Sequence, residues 1–236
     1  MKAAILKCDD MLEKFQPEFK SYSNMIFNMF HRVDETLRFE IFDCQLGLFP
    51  ENVENFDFFI ITGSKADSYS DLKWIKQLIQ FVKELNAKNK KLIGICFGHQ
   101  IMALALGGNV SKSSKGWGVG VTTNNILEKP DWMNKAVSEL NIIVSHQDQV
   151  DDIPDGSSVL AESDFCPYFI VQWNDHFLSI QGHPEWNKEY SNVLMDDRVD
   201  RIPAETIASG KASLTIEPDN QIFTQWMLDF VQYRAA

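Results

Sequence analysis

Cys96 stands between two glycines in Lys91-Leu92-Ile93-Gly94-Ile95-Cys96-Phe97-Gly98-His99-Gln100, where an apolar run ends and a helix-forming run begins. Gly-x-Cys-x-Gly is the cysteine form of a nucleophile elbow, a tight strand-to-helix turn that lifts a reactive side chain out of a sheet. The glycines supply space, since a β-carbon at either position would crowd neighbouring backbone. Such a turn aims the next N–H, that of Phe97, at the place where an oxyanion forms during attack on a carbonyl. A helix N-terminus beneath the sulfur favours thiolate over thiol. The competing reading is a small buried cysteine whose glycines serve packing alone.

A thiolate nucleophile needs a base, and the base needs an orienting group. Gln181-Gly182-His183-Pro184-Glu185 offers both, after the strand-like run Phe177-Leu178-Ser179-Ile180. Pro184 stiffens the two-residue step between imidazole and carboxylate. Glu185 can accept from one ring nitrogen of His183 and leave the other to face Cys96. A lone histidine after a strand is most simply a satisfied loop residue. An elbow cysteine with a later His-Pro-Glu is better explained as a hydrolytic triad.

These residues resemble the class I glutamine amidotransferase family, whose Gly-x-Cys-x-Gly-His-Gln and Gly-His-Pro-Glu motifs stand here as Gly94 to Gln100 and Gly182 to Glu185. The likeness extends to Ile61-Thr62-Gly63-Ser64. It also covers Ser145-His146-Gln147-Asp148, similar to the Ser-His-x-Asp segment of GMP-synthetase-type domains. The resemblance implies Cys96 as nucleophile, His183 as general base and acid, and Glu185 as orienter. It implies an oxyanion hole from the backbone N–H groups of Gly63 and Phe97, and substrate contacts from Gln100, Ser145 and His146. The reaction implied is hydrolysis of the γ-amide of glutamine or a γ-glutamyl compound through a Cys96 glutamyl thioester, with ammonia or an amine released.

No cofactor and no metal are expected, since no His/Cys cluster has zinc-like spacing. The segment Gly63-Ser64-Lys65-Ala66-Asp67-Ser68-Tyr69-Ser70-Asp71 departs from the Gly-Gly-Pro form of synthetase-coupled domains. It looks more like free-standing relatives, some of which cleave γ-glutamyl peptides. The expected protein is thus a free-standing glutaminase-type domain acting on a small molecule, with a synthetase subunit in trans as the conceivable partner. Two rival classes stand beside it: a non-catalytic or partner-gated regulatory protein, and a related elbow-cysteine peptidase or chaperone.

The elements needed to position these groups alternate along the chain. Strands are expected at Ala3 to Lys7, Phe39 to Asp43, Phe56 to Ile61 and Lys91 to Ile95, the third a near-continuous apolar run suited to a central parallel strand. Tyr22, Ile26, Met29, Phe30 and Val33 fall on one helical face, as do Leu72, Ile75, Leu78, Ile79, Val82 and Leu85. A helix from Gln100 to Leu106 is stopped by Gly107-Gly108. Short strands around 142–144, 159–161, 168–173 and 177–180 suggest antiparallel additions at a sheet edge, and a last helix runs from about Asn220 to Tyr233. The expected fold is α/β: a mostly parallel central sheet flanked by helices, flavodoxin-like, with a small antiparallel extension, in one domain over residues 1–236.

Composition bounds the remaining choices. Against 33 acidic residues stand 22 basic ones, a net charge of −11, which argues against nucleic acid or an anionic membrane as partner. The opening Met1 to Asp9 is too short and too soon charged for a signal peptide, and no apolar run approaches a membrane span. Dependence on a free thiol suits a reducing, cytoplasmic setting. Cys8 and Cys44 are read as core or surface thiols and Cys166 as a thiol near the site. Tyr69, Trp74, Trp117 and Trp186 lie close to the motifs as possible walls of a cleft mouth.

Overall fold

A computed structural model describes residues 1–134 and 137–234. In chain order the elements are β1 (Lys2–Lys7), α1 (Gln16–Phe19), α2 (Tyr22–His31), β2 (Arg38–Asp43), β3 (Phe58–Ile61), α3 (Lys73–Ala87), β4 (Lys91–Ile95) and α4 (Phe97–Leu106). They continue as β5 (Asn109–Lys112), β6 (Gly118–Ile126), β7 (Glu139–His146), β8 (Asp148–Asp152), β9 (Ser157–Glu162), β10 (Ile170–Trp173) and β11 (Phe177–Ile180). Three helices close the chain: α5 (Lys188–Asp197), α6 (Ala204–Ser213) and α7 (Asn220–Gln232).

One nine-stranded sheet has the order β2-β1-β3-β4-β11-β10-β9-β6-β7. The first five strands are mutually parallel and the last four are added antiparallel. A two-stranded antiparallel ribbon, β5 with β8, stands apart. The central strands read as unbroken apolar runs because both of their faces are covered. Along β1 the side chains alternate. Ala3 and Ile5 join the core under α2 and α7, while Ala4 and Leu6 join the core under α3 and α4. This is the expected α/β architecture, with helices on both faces of a sheet whose larger part, from β2 to β11, is parallel.

Three differences from the sequence expectation bear on the site. Helix α4 begins at Phe97 rather than Gln100, because the chain turns from strand to helix at Cys96 alone. Ser21 caps α2, its Oγ accepting from the N–H of Asn24 at 3.1 Å, and that helix ends at His31, before Val33. The third concerns β11, expected among the antiparallel additions. It pairs in parallel with β4, Ser179 opposite Gly94, while meeting β10 antiparallel on its other side. Local patterning does not reveal this, because a strand four residues long looks the same whichever partner it takes. Its consequence is direct: β4 and β11 end side by side, so the segments that follow them emerge together at the C-terminal edge of the sheet. Helices α5 and α6, which the sequence reading did not anticipate, pack against β6, with Gly120 so close to Gly210 that no β-carbon would fit between them. Among the described residues no helix is long and apolar enough to cross a membrane.

Candidate active site

Cys96 has φ +50° and ψ −97°, a conformation that costs an L-residue on the order of 1–3 kcal/mol. The surrounding packing enforces it. A β-carbon on Gly94 would overlap Met102 Sδ and lie 2.8 Å from the Gly98 carbonyl. One on Gly98 would lie 2.7 Å from the Ile61 carbonyl oxygen. Both glycines are therefore spatial necessities, and they let α4 seat directly on β3 and β4. Cys96 N–H donates to Ile180 O at 2.8 Å, tying the turn to the end of β11. As the first residue of α4, Phe97 has no helical acceptor for its own N–H.

Further ties hold the elbow helix to β11. Ser179 Oγ lies 2.7 Å from His99 Nδ1 and accepts from Trp173 Nε1 at 2.7 Å. His99 is buried and burial pushes its pKa down to about 3, so it is a neutral packing residue. Gln181 Nε2 reaches Cys96 Sγ at 3.5 Å, and Gln181 Oε1 accepts from Gln100 Nε2 at 3.2 Å.

His183 follows β11 and is fixed by its N–H donating to Ile143 O at 2.8 Å. Gly182 passes so close to Ile142 that a β-carbon there would lie 2.6 Å from its Cγ2. His183 Nδ1 and Glu185 Oε1 are 2.8 Å apart, both side chains almost wholly buried. The imidazole lies flat on the indole of Trp186, centroids 3.6 Å apart and planes 9° from parallel. Burial pushes the His183 pKa down. Opposing it, the negative charges of Cys96 and then Glu185, with hydrogen bonds to both, push it up, and together they win, leaving it at about 9. On that balance the ring holds a proton at neutral pH, beside the sulfur of Cys96.

Gly63 closes the arrangement. A β-carbon there would lie 2.9 Å from His183 Cε1 and 3.9 Å from Cys96 Cβ. The loop holding it is anchored from behind by buried Asp9, which accepts from Lys65 N at 2.9 Å and pairs with Lys65 Nζ at 3.1 Å. The fold thus brings Cys96, His183, Glu185, Gly63 and Phe97 to one point.

The residues expected to touch substrate sit just beyond. Gln100 Nε2 donates to the Asp148 carbonyl at 3.0 Å as well as to Gln181, so its amide nitrogen is engaged within the protein. Ser145 Oγ accepts from Arg198 Nη1 at 2.7 Å. His146 Nδ1 donates to the Asp148 carbonyl at 3.2 Å, while its Nε2 is buried without a partner among the described residues. Burial pushes the His146 pKa down to about 4. Trp74 packs on Phe97, centroids 5.5 Å apart, as a helix-packing residue. Cys8 and Cys44 are both fully buried, which removes the surface reading for them. Cys166 is buried near Cys96, its thiol pushed up to about 12 by burial.

Two cavities meet at Cys96. One, of about 200 Å³, is lined by His183, Glu185, Trp186 and Tyr22. The other, of about 170 Å³, is lined by Tyr69, Gln100, His146 and Asp148. Arg198 and Arg201 border both. The sequence reading missed these arginines, together with Asp9 and Gln181. Nothing local marks them, since Arg198 simply caps an ordinary amphipathic helix, and only the packing of α5 against β7 brings it to the cleft.

Comparison with known proteins identifies the family and the fold. Residues 18–198 match the family described as Glutamine amidotransferase class-I. Gamma-glutamyl peptidase 2 of Arabidopsis thaliana is 33% identical over 224 residues, covering 92% of this chain and 90% of that protein. The glutamine-hydrolyzing GMP synthase subunit of Archaeoglobus fulgidus is 37% identical over 106 residues, 44% of this chain and 56% of that one. In fold, a crystal structure of a glutamine amidotransferase from Thermotoga maritima superposes with a TM-score of 0.75 at 16% identity, covering 98% of this chain and 99% of the other.

Proposed function

The chain belongs to the class I glutamine amidotransferase family, and on that premise we propose that it hydrolyses a γ-glutamyl amide with Cys96 as nucleophile. The observation that carries this reading is the convergence of three groups from distant parts of the chain. Cys96 and His183 both abut Gly63, and Glu185 stands 2.8 Å behind the imidazole.

The chemistry follows from where charge develops. The Cys96 thiolate attacks the γ-carbonyl carbon and forms a tetrahedral oxyanion. Backbone N–H groups of Phe97 and Gly63 stabilise that oxygen, a contribution of about 3 kcal/mol per donor. His183, protonated, gives its proton to the departing nitrogen as the C–N bond breaks. The amine leaves and a glutamyl thioester remains on Cys96. Neutral His183 then takes a proton from water, which attacks the thioester and frees glutamate and the thiolate. Glu185 holds the tautomer and balances the imidazolium charge. Gln100, Ser145 and His146 border the space for the α-amino and α-carboxylate groups, which need polar partners once buried.

Among substrates, the reading favours a γ-glutamyl peptide, since the relative matched along nine-tenths of its length is called a gamma-glutamyl peptidase. The partial likeness to a glutamine-hydrolyzing GMP synthase subunit supports a second reading, a glutaminase that serves a synthetase in trans. Glutamate release from glutamine and from a panel of γ-glutamyl peptides, followed by mass spectrometry with Cys96→Ser as control, separates the two. Cleavage of a peptide far above glutamine supports the peptidase. Slow glutaminase activity alone supports the partner-gated enzyme. No Cys96-dependent release from any compound would sink both.

A further inference from the structure

We propose that Arg198 and Arg201 form a carboxylate-binding subsite on the His183 side of the cleft, which holds the leaving half of a γ-glutamyl peptide. This rests on the hydrolase reading above and goes beyond it by assigning the leaving-group site.

The two cavities that meet at Cys96 can be told apart by the chemistry each must serve. The departing nitrogen must come within reach of His183, which lines the 200 Å³ cavity and not the other. Gln100, His146 and Asp148 line only the second. The leaving group therefore occupies the first and the glutamyl group the second, and Arg198 and Arg201 stand where the two meet, bordering both.

Charge pairing in the leaving-group cavity is lopsided. Its carboxylates are all engaged: Asp9 with Lys65 at 3.1 Å, Asp10 with Lys7 at 2.7 Å, Asp197 with Lys14, and Glu185 with His183. Among the described residues, neither Arg198 nor Arg201 has a carboxylate within 4.0 Å. Arg198 is half-buried and spends one donor on Ser145 Oγ, and the rest of its fork of five N–H groups has no acceptor among the described residues. Both guanidinium groups face the same ring, Trp117, at 5.9 Å and 5.5 Å from its centroid. Two like charges gathered about one ring favour an anion beside them, and a guanidinium fork matches a carboxylate in shape. In a chain of net charge −11, two cations gathered at a cleft are not an effect of overall composition.

The same cavity also has an apolar wall. Leu12, Tyr22, Trp186 and Leu194 line it, with Tyr22 stacked on Trp186 at 6.4 Å between centroids. An amino acid joined through its nitrogen to the γ-carbonyl would place its carboxylate on the arginines and its side chain on this wall. Ammonia leaving from glutamine would use neither.

The test compares γ-glutamylglycine with γ-glutamylmethylamide, which lacks only the carboxylate. Binding of each to the Cys96→Ala protein is measured by calorimetry, and turnover of each by the Cys96 enzyme. The proposal expects tighter binding of the glycine compound by about tenfold or more. Arg198→Gln in the Cys96→Ala background should collapse that ratio to about one, with Arg198→Lys retaining part of it. Arg201→Gln, at the exposed mouth where folding is not at risk, should shrink the ratio by a smaller factor. Equal affinity for the two compounds overturns the proposal, as does failure of both to bind. Equal weakening of both by Arg198→Gln also overturns it, because that would place Arg198 on the glutamyl half. Preference in binding without turnover keeps the subsite and sinks the hydrolase reading; turnover without preference does the reverse.

Discussion

The imidazole of His183 rests face to face on the indole of Trp186, 3.6 Å between centroids, while its edge meets Glu185 at 2.8 Å. A ring so placed can neither tilt nor flip without losing one contact or the other. A protonated imidazole on an indole face also gains cation–π stabilisation. Trp186→Ala should therefore lower kcat by roughly 10- to 100-fold through loss of orientation, and Trp186→Phe should restore most of it. Loss of kcat with KM little changed, and its rescue by Trp186→Phe, is a pattern that loss of folded protein alone would not produce.

Removing the carboxylate behind the imidazole has a calculable sign. Burial pushes the His183 pKa down, and the charges of Cys96 and Glu185 push it up to about 9. Glu185→Gln deletes one raising influence and leaves burial in place, so the pKa must fall. We expect the alkaline limb to move from about pH 9 toward neutrality, and kcat to drop by roughly 10²- to 10⁴-fold. A pH series of initial rates for the two proteins checks this, and an unmoved limb would contradict the assigned role of Glu185.

Backbone strain at Cys96 gives a stability prediction independent of any substrate. Glycine in an ordinary helix or strand is less stable than alanine by about 0.5–1 kcal/mol. At φ +50°, where a β-carbon is penalised, that order should invert. Cys96→Gly should melt at or above Cys96→Ala, although both are inactive, and thermal unfolding of the pair decides it. A Cys96→Gly protein clearly below Cys96→Ala would contradict the strain.

Acid should destabilise the fold through two buried histidines. Burial holds His99 at about 3 and His146 at about 4, below the ordinary value of about 6.5 for an unfolded chain. Between those values the unfolded state binds more protons than the native one. Stability is therefore fully present above about pH 6.5 and is lost as pH falls toward about 4, by up to about 1.4 kcal/mol per pH unit for each histidine. Denaturant midpoints measured from neutral pH down to about pH 4 should fall, and His146→Gln should make the fall shallower.

Much of this was legible without coordinates, for reasons that differ from residue to residue. Gly94, Cys96 and Gly98 announced an elbow because its demands are local: each glycine answers to backbone a few residues away or to the strand next door. His183, Pro184 and Glu185 were legible for the same reason, since a carboxylate two residues from an imidazole reaches it without help from the fold. The apolar runs of β1, β3 and β4 marked a covered parallel sheet. Where the sequence reading slipped, the deciding contacts were distant. Strand β11 takes β4 as its parallel neighbour through pairing that no four-residue pattern encodes. Gln100 lines the cleft as expected of a substrate contact, and its bonds to Asp148 and Gln181, partners far along the chain, are the part that no local pattern marks.

The sequence by itself determined the chemistry available: a cysteine in a strained turn, a histidine with its carboxylate, glycines where backbone must approach backbone, and an alternating strand–helix pattern to carry them. These follow from side-chain type and from spacings of a few residues, which steric and hydrogen-bonding rules read directly. Only the tertiary structure decided that Cys96 and His183 meet, because that depends on β4 and β11 ending side by side. It alone decided, too, that Arg198 and Arg201 face the cleft with no carboxylate partner among the described residues, while Asp9, Asp10 and Asp197 find lysine partners. Charge pairing is set by the distances of the folded chain, and those distances are fixed by packing of the whole sheet and its helices.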